Sequence, residues 1–248
     1  MVQLVGILNV TPDSFSDGNQ FLEPEKAVKQ AVKLFSEGAA LVDIGAESTR
    51  PGAAKLTPGQ EWLRLEPVLK ELIKLFPGKL SVDTFHPETA ARALDLGDII
   101  INDVTGMNNP AMIEVVSRFR ARCIVSQLPA ADTQAAHEGE LVDDQETIKN
   151  DLLGKAGLLE SKGLERDQII LDPGIGFGKT AKLNQQLLRF AKQLPNYQVM
   201  IGYSRKRFLG QHRMELETNL AAGRVATAAG AAYLRVHDVA GHRQLLQS

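Results

Sequence analysis

The sequence has little of several features that mark particular classes of protein. Among its 248 residues there is one cysteine, Cys123, so an internal disulfide is excluded. This residue opens the apolar run Cys123-Ile124-Val125, which indicates a buried, inert thiol rather than a nucleophile. Because chains without disulfides are typical of reducing compartments, we predict a cytoplasmic protein.

Long apolar runs and basic clusters are missing as well. No apolar stretch approaches the about 18 residues of a membrane-spanning helix, so we expect no contact with a membrane. The net charge is −2, aromatic residues make up 5%, and no run of Lys and Arg stands out. Since nucleic-acid-binding surfaces are strongly basic, we expect no nucleic-acid partner.

What the chain does contain is a repeated alternation of apolar strand-like segments with helical patterns. The predicted strands are residues 4–9, 41–44, 80–83, 99–102, 123–125, 169–172, 199–201 and 233–236. Such alternation favours a parallel sheet, and eight units in about 250 residues favour a closed (β/α)8 TIM barrel. No linker rich in Ser, Pro or Gly divides the chain, so we predict one domain over residues 1–248. The alternative is a doubly wound open sheet with the eighth strand at its edge.

The segment Leu171 to Thr180 has the most unusual composition. A strand-like run ends at Asp172, and glycines follow at positions 174, 176 and 178. A P-loop would require Gly where Pro173 stands, and the G-x-G-x-G spacing does not fit the dinucleotide fingerprint. The segment therefore predicts a small-molecule site in which a buried acid faces a glycine-lined space, with Phe177 projecting from it.

Polar and charged residues cluster where the predicted strands end. They are Asn9, Asp83, Asn102, Asp172, Ser204, Arg205, Lys206, Arg235 and His237. Any one of them alone is as often a helix cap as a functional group. In a TIM barrel, however, the active site lies at this end of the strands, with phosphate bound after strands seven and eight. The basic side chains suit a phosphate or diphosphate, and the acids opposite suit a flat, nitrogen-rich ring.

Two loops at the same end are rich in Gly, Pro and short polar residues. They run from Asn9 to Gly18 and from Gly45 to Pro58, and little apolar content anchors them. Ordinary surface loops are the alternative, but Phe15 and Arg50 are costly to expose without a use. We therefore predict that the loops are mobile lids over the site.

These segments together resemble the dihydropteroate synthase family of pterin-binding enzymes, which sulfonamides inhibit. The matching segments are 6–18, 47–52, 81–84, 101–104, 172–179, 204–206 and 235–239, in the family's order along nearly the whole chain. The resemblance implies a step of folate biosynthesis, in which 6-hydroxymethyl-7,8-dihydropterin diphosphate and 4-aminobenzoate give 7,8-dihydropteroate and pyrophosphate. It also implies Mg²⁺ as cofactor and a homodimer.

Site residues carry over from the family motif by motif. The pterin would contact Asp83, Asn102, Asp172 and Lys206. The diphosphate would contact Asn9, Arg235 and His237, with Asn9 also beside Mg²⁺. The 4-aminobenzoate pocket would contain Phe15, Thr49, Pro51, Phe177 and Ser204, and Asp13 and Arg50 would order the lid loops. The implied mechanism is ionisation of the pterin diphosphate, with Asp172, Lys206, Arg235, His237 and Arg50 as the catalytic residues.

The chain departs from the family pattern after the fifth predicted strand. The family usually has Met-His-Met there, whereas this sequence reads Ser126-Gln127-Leu128-Pro129, which alters one wall of the implied pterin pocket. Two alternatives to the synthase stay open, and this departure supports the second. One is a barrel that binds methyltetrahydrofolate and passes its methyl group to a corrinoid. The other is a paralogue that binds pterin without turnover.

Overall fold

The strands form one closed barrel. The computed structural model describes residues 2–11, 24–47, 55–130, 132–137, 139 and 141–247. The strands are β1 (Gln3–Asn9), β2 (Leu41–Gly45), β3 (Leu80–Asp83), β4 (Ile99–Asp103), β5 (Cys123–Ser126), β6 (Ile169–Asp172), β7 (Gln198–Ile201) and β8 (Tyr233–Val236). They pair in chain order, all parallel, and β8 pairs back onto β1. The predicted TIM barrel is therefore confirmed, and the alternative of an open sheet is wrong.

Helices connect the strands on the outside of the barrel. They are α1 (Pro24–Glu37), α2 (Pro58–Leu75), α3 (Pro87–Leu96), α4 (Pro110–Phe119), α5 (Gln145–Ser161), α6 (Ala181–Leu187), α7 (Leu216–Ala228) and α8 (Val239–Gln247). Proline begins the first four, at a position where its missing N–H leaves no hydrogen bond unmade. Within the described ranges, none of these helices is both long and apolar enough to traverse a bilayer.

The start of α2 shows how the sequence sets a helix boundary. The backbone N–H of Gln60 donates to the Thr57 hydroxyl at 3.3 Å, and the backbone N–H of Thr57 donates to Gln60 Oε1 at 2.9 Å. This reciprocal capping satisfies two N–H groups that a helix leaves unpaired. It fixes the point at which the chain turns from the loop after β2 into α2.

An apolar layer fills the barrel interior toward the amino ends of the strands. It consists of Val5, Leu41, Ile100, Ile124, Ile170, Met200 and Tyr233. Burial of one such aliphatic side chain contributes about 1.5–3 kcal/mol. Because side chains alternate along a strand, the next inward-facing positions are two residues further on. Those positions hold Asp43, Asn102, Ser126, Asp172 and Arg235, besides Ile7 and Gly202, so the interior becomes largely polar toward the carboxyl end.

Candidate active site

Arg235 lies at the centre of the polar layer and contacts acids from two other strands. Its Nε is 2.7 Å from Asp43 Oδ2, and its Nη2 is 2.8 Å from Asp83 Oδ2. Burial lowers the pKa of Arg235, but Asp43 and Asp83 outweigh burial and hold the pKa above its ordinary value. Burial also raises the pKa of Asp83, which the charge of Arg235 opposes. The guanidinium is therefore charged and held in one orientation.

Asp43 supports this arrangement, and the prediction from strand ends missed it. Its carboxylate accepts hydrogen bonds from Ser81 Oγ at 2.5 Å and from Asn102 Nδ2 at 2.9 Å, besides the Arg235 contact. The side chain is fully buried. The sequence did contain a clue to Asp43: it is an acid within the otherwise apolar strand Leu41–Gly45, and a charge buried there needs a partner. Asp43 thus orients both Asn102 and Arg235.

Asp172 ends β6 on the same interior surface. Its Oδ1 accepts the backbone N–H of Gly174 at 2.7 Å, and its side chain is largely buried. Burial raises the pKa of Asp172, while the charge of Lys206 and the Gly174 hydrogen bond lower it. The predicted buried acid at the entrance to the glycine-rich segment is present.

Lys206 extends toward Asp172 from the segment after β7. Its Nζ donates to the Ile175 carbonyl at 2.5 Å and lies 5.3 Å from the centre of the Phe177 ring. Burial lowers the pKa of Lys206 to about 8, although the charge of Asp172 raises it. The structure therefore brings together Asp172, Phe177 and Lys206, three of the predicted site residues.

The glycine-rich segment is held by Lys179, which was not among the predicted site residues. Lys179 Nζ donates to the carbonyls of Gln127, Gly174 and Phe177 at 3.2, 3.0 and 3.0 Å. Burial lowers the pKa of Lys179, whereas Asp172 raises it. In the sequence, Lys179 was only part of a motif. Its hydrogen bonds to three carbonyl groups depend on how the turn folds. Lys179 is a positioning residue for the loop that carries Phe177.

The ends of β7 and β8 meet through Ser204 and His237. The backbone N–H of His237 donates to Ser204 Oγ at 3.3 Å, and His237 Nδ1 lies 3.0 Å from the same oxygen. Asn219 Oδ1 accepts the backbone N–H of Arg205 at 2.9 Å, and this hydrogen bond fixes the turn that follows β7. The predicted grouping of polar residues after strands seven and eight is therefore present.

Two further positions complete the description of this end of the barrel. Asn9, at the end of β1, is exposed and pairs in register with Gly45. Ser126 pairs in register with Asp172, so both side chains face the interior and the altered wall is polar at this point.

Cys123 is fully buried, and burial raises the pKa of its thiol to about 12, which agrees with an inert role.

Several predicted residues belong to segments on which the structure gives no description. Asp13, Phe15, Thr49, Arg50 and Pro51 lie outside the described residues. Their roles in the 4-aminobenzoate pocket and the lid loops stay predictions.

Comparisons with known proteins place this chain in a family. The profile of the family described as pterin binding enzyme matches residues 5–237. The chain is 35% identical to dihydropteroate synthase of Staphylococcus haemolyticus, over 99% of this chain and 93% of that protein. It is 33% identical to dihydropteroate synthase of Escherichia coli K12, over 95% of this chain and 86% of that protein.

Solved structures give the same relation. Xanthomonas albilineans dihydropteroate synthase with 4-aminobenzoic acid has a TM-score of 0.87 and 36% identity, over 99% of this chain and 91% of that one. The Yersinia pestis dihydropteroate synthase with a sulfonamide drug has a TM-score of 0.90 and 32% identity, over 99% of this chain and 92% of that one. This chain therefore belongs to the pterin-binding enzyme family, with dihydropteroate synthases among its relatives.

Proposed function

We propose that this chain is a dihydropteroate synthase and that the polar layer of the barrel binds the pterin. The enzyme joins 6-hydroxymethyl-7,8-dihydropterin diphosphate to 4-aminobenzoate and releases pyrophosphate. The observation that carries the assignment is the convergence of Asp83, Asn102, Asp172 and Lys206 above an apolar layer. Carboxylates and an amide on one side can bind the amino and ring N–H groups of a pterin, and a lysine can bind its carbonyl oxygen.

The diphosphate belongs beside the ends of β7 and β8. His237 and Ser204 lie together there, and Arg235 supplies a fixed positive charge. Because Asp43 and Asp83 take the Nε and one Nη2 donor, only the remaining guanidinium N–H groups are free for a phosphate oxygen. Arg235 thus acts partly through its charge, which two carboxylates reduce, and partly through direct hydrogen bonds.

Mg²⁺ is part of the proposal, and the donor set fits it. Asn9 offers an amide oxygen at the exposed end of β1. Mg²⁺ commonly takes one or two protein oxygens and completes its shell with water and substrate phosphates. One protein ligand at the diphosphate end therefore suits an ion that binds with the substrate. When bound, the ion would neutralise charge on the departing pyrophosphate.

Catalysis follows from the charges around the pterin. As the bond to diphosphate breaks, positive charge develops on the pterin and negative charge on the leaving group. Asp172 is placed to offset the first, and Arg235 and His237 are placed to offset the second. The aniline nitrogen of 4-aminobenzoate then attacks the pterin cation, beside Phe177 and Ser204. Water must be excluded at that moment, which is the role proposed for the loops containing Phe15 and Pro51.

The grouping after β7 and β8 also separates the main alternatives. A methyltetrahydrofolate-binding methyltransferase needs a pterin pocket but no diphosphate site. The Ser204–His237 contact beside Arg235 favours the synthase. The paralogue without turnover gains its support from Ser126–Pro129, but Ser126 keeps the interior position beside Asp172 small and polar.

Pyrophosphate release is the decisive measurement. The purified chain is given the pterin diphosphate with and without 4-aminobenzoate, and sustained release is expected only with both substrates and Mg²⁺. Methyl transfer from methyltetrahydrofolate without pyrophosphate release supports the corrinoid class. Pterin binding with no release supports the paralogue. Full turnover in excess chelator removes the metal from the mechanism.

Assembly and compartment are further proposals. The family resemblance supports a homodimer, and sedimentation velocity of the purified chain tests it, with a monomer at micromolar concentration as the contrary result. A reducing compartment, the cytoplasm, is supported by the single buried Cys123. Fractionation of the producing cell tests that placement.

A further inference from the structure

Three ionisable side chains meet where the loops after β2 and β3 pass the first turn of α2. Glu47 follows β2, His86 follows β3, and Glu61 lies in α2. One potential ligand atom from each is within 4.8 Å of the other two. Side-chain exposure is 7% for Glu47 and 18% for His86, and Glu61 is 0% exposed. Such withdrawal from water is unusual for three groups that can carry charge.

The contacts within this cluster leave one carboxylate oxygen unpaired. His86 Nε2 lies 3.2 Å from Glu47 Oε2, and Glu61 Oε2 accepts the Thr84 hydroxyl at 2.7 Å. Glu61 Oε1 is buried and has no hydrogen-bond partner among the described residues. The Thr89 hydroxyl is a nearby hydrogen-bonding group that lowers the pKa of Glu61, but the acceptor that its geometry favours is the Pro58 carbonyl, at 3.4 Å. A buried carboxylate oxygen without a donor is costly, and a cation would satisfy it.

The charge of the cluster points the same way. Burial raises the pKa of Glu61 and the charge of Glu47 adds to that rise, whereas the Thr89 and Thr84 hydroxyls and the charge of His86 lower it. Even with His86 protonated, two ionised carboxylates leave one excess negative charge. A divalent cation bound by neutral His86 and both glutamates would cancel the two negative charges.

We propose that Glu47, Glu61 and His86 form a binding site for a divalent transition-metal ion of the Zn²⁺ or Mn²⁺ type. An imidazole combined with carboxylates suits these ions, whereas Mg²⁺ and Ca²⁺ prefer oxygen alone. Metal–ligand bonds of about 2.0–2.2 Å place neighbouring ligands around zinc about 3.4 Å apart, close to the 3.2 Å between His86 and Glu47. The Thr84 hydroxyl would orient Glu61, as outer hydrogen bonds commonly do for metal ligands.

The consequence of such an ion is structural. It would join the segment after β2, the segment after β3 and the start of α2. Glu47 immediately precedes residues 48–54 in sequence, which include the predicted 4-aminobenzoate contacts Thr49 and Pro51. The site is separate in composition from the proposed Mg²⁺ site, because it does not use Asn9 or the diphosphate.

The test uses the metal alone. The full chain is stripped with chelator and titrated with Zn²⁺ and then Mn²⁺ by calorimetry, with no pterin or diphosphate present. One ion per chain and a higher melting temperature are expected. Glu61→Gln and His86→Gln should each weaken binding by at least about tenfold, the size of effect typical of a lost ligand contact. His212→Gln is the matched control, since its exposed pair with Glu215 at 2.6 Å forms no cluster with a second carboxylate among the described residues.

Circular dichroism establishes that the variants fold, and zinc-edge X-ray absorption of the unsubstituted chain gives a readout that needs no variant. One imidazole with oxygen ligands is expected. The proposal is overturned if no ion is retained, if Glu61→Gln and His86→Gln bind as the unsubstituted chain does, or if absorption shows no imidazole. In that case a proton shared within the cluster, rather than a metal ion, satisfies the unpaired Glu61 oxygen. Because the titration contains no substrate, a negative result would not count against the proposed synthase activity, which pyrophosphate release tests separately.

Discussion

Among single residues, Arg235 and Asp43 determine the geometry of the proposed pterin site. Arg235 contacts acids from two strands, and Asp43 contacts Ser81 and Asn102 as well. Removing one partner from a buried ion pair commonly costs about 3–5 kcal/mol, because the other charge is left uncompensated. The two acids on Arg235 are not equivalent, however: Asp43 is fully buried among protein groups, whereas Asp83 is partly exposed at the strand end.

That difference predicts separate effects for Asp43→Asn and Asp83→Asn. Asp43→Asn should lower the free energy of unfolding by about 3 kcal/mol, because Arg235 and Ser81 lose a charged partner. Asp83→Asn should cost less stability but weaken pterin binding at least tenfold, since Asp83 can face the ligand. Urea unfolding and pterin titration of both variants give the two numbers. Equal effects on both measurements would show that the acids share one role.

Asp172→Asn tests the charge at the pterin. If the carboxylate offsets a developing cation, its loss should raise the barrier of the chemical step by about 2–4 kcal/mol, which is a drop of about 30- to 1,000-fold in kcat. Folding should survive because the substitution is nearly isosteric. A variant that keeps half the activity of the unsubstituted enzyme would identify Asp172 as structural only.

The lowered pKa of Lys206 predicts that activity depends on pH. Its pKa is lowered to about 8, mainly by burial, so kcat/KM for the pterin diphosphate should fall as pH rises through about 8 and the ammonium is lost. Unfolding does not explain such a fall. Between about pH 8 and the ordinary lysine value, the native state binds fewer protons than the unfolded state, so this group makes the fold more stable as pH rises.

The matched variant is Lys206→Arg, which keeps the charge. Its kcat/KM should be lower at neutral pH, because a guanidinium does not reproduce the Lys206 contact with the Ile175 carbonyl, but the decline near pH 8 should disappear. A decline that persists in Lys206→Arg assigns it to another group, with Lys179 as the next candidate.

At the scale of elements, the strands could be predicted from the sequence more readily than the buried polar contacts. Each predicted strand is present, with ends that differ by at most one residue, because apolar runs bounded by polar loops are local signals. The role of Lys179 was not predictable in this way. It depends on three carbonyl groups that converge only when the turn after β6 packs against the end of β5.

The close approach of these two segments predicts the effect of Gly174→Ala. Gly174 has φ +65°, and a Cβ there would lie 2.0 Å from the Gln127 carbonyl oxygen. A left-handed conformation alone costs an alanine about 1–2 kcal/mol, and the clash adds to that cost. Gly163→Ala is the control, because Gly163 has φ +95° and a Cβ added there would meet no atom of the described residues within 4 Å.

Urea unfolding of both variants measures the difference. Gly174→Ala should lose at least about 2 kcal/mol more than Gly163→Ala and should also lose activity, since the Phe177 loop moves. Equal losses would show that backbone conformation, rather than the contact with Gln127, sets the requirement for glycine.

For the whole molecule, closure of the barrel explains why isolated strand ends could be predicted to form one site. Parallel strands in a closed barrel place all their carboxyl ends on one face, so residues far apart in sequence meet there. The contacts Arg235–Asp43 and Arg235–Asp83 join residues from opposite parts of the chain in this way. Which side chain pairs with which was not predictable, because register and rotamer decide it. Phe15, Thr49, Arg50 and Pro51, outside the described ranges, keep the roles that the resemblance implies.

Those roles predict that the two substrates bind to separable parts of the molecule. Phe15→Ala should weaken 4-aminobenzoate and sulfonamide binding at least tenfold and leave pterin affinity nearly unchanged, because the proposed pterin contacts lie inside the barrel. The measurement is a pair of titrations: the pterin diphosphate alone, then a sulfonamide with pterin and pyrophosphate present. Leu63→Ala is the control, since this leucine is 72% exposed on α2 and belongs to neither proposed pocket. If Phe15→Ala weakens both ligands equally, Phe15 supports the barrel rather than the second pocket. If a sulfonamide never binds the unsubstituted protein, the second pocket does not form, and the paralogue that binds pterin without turnover becomes the better account.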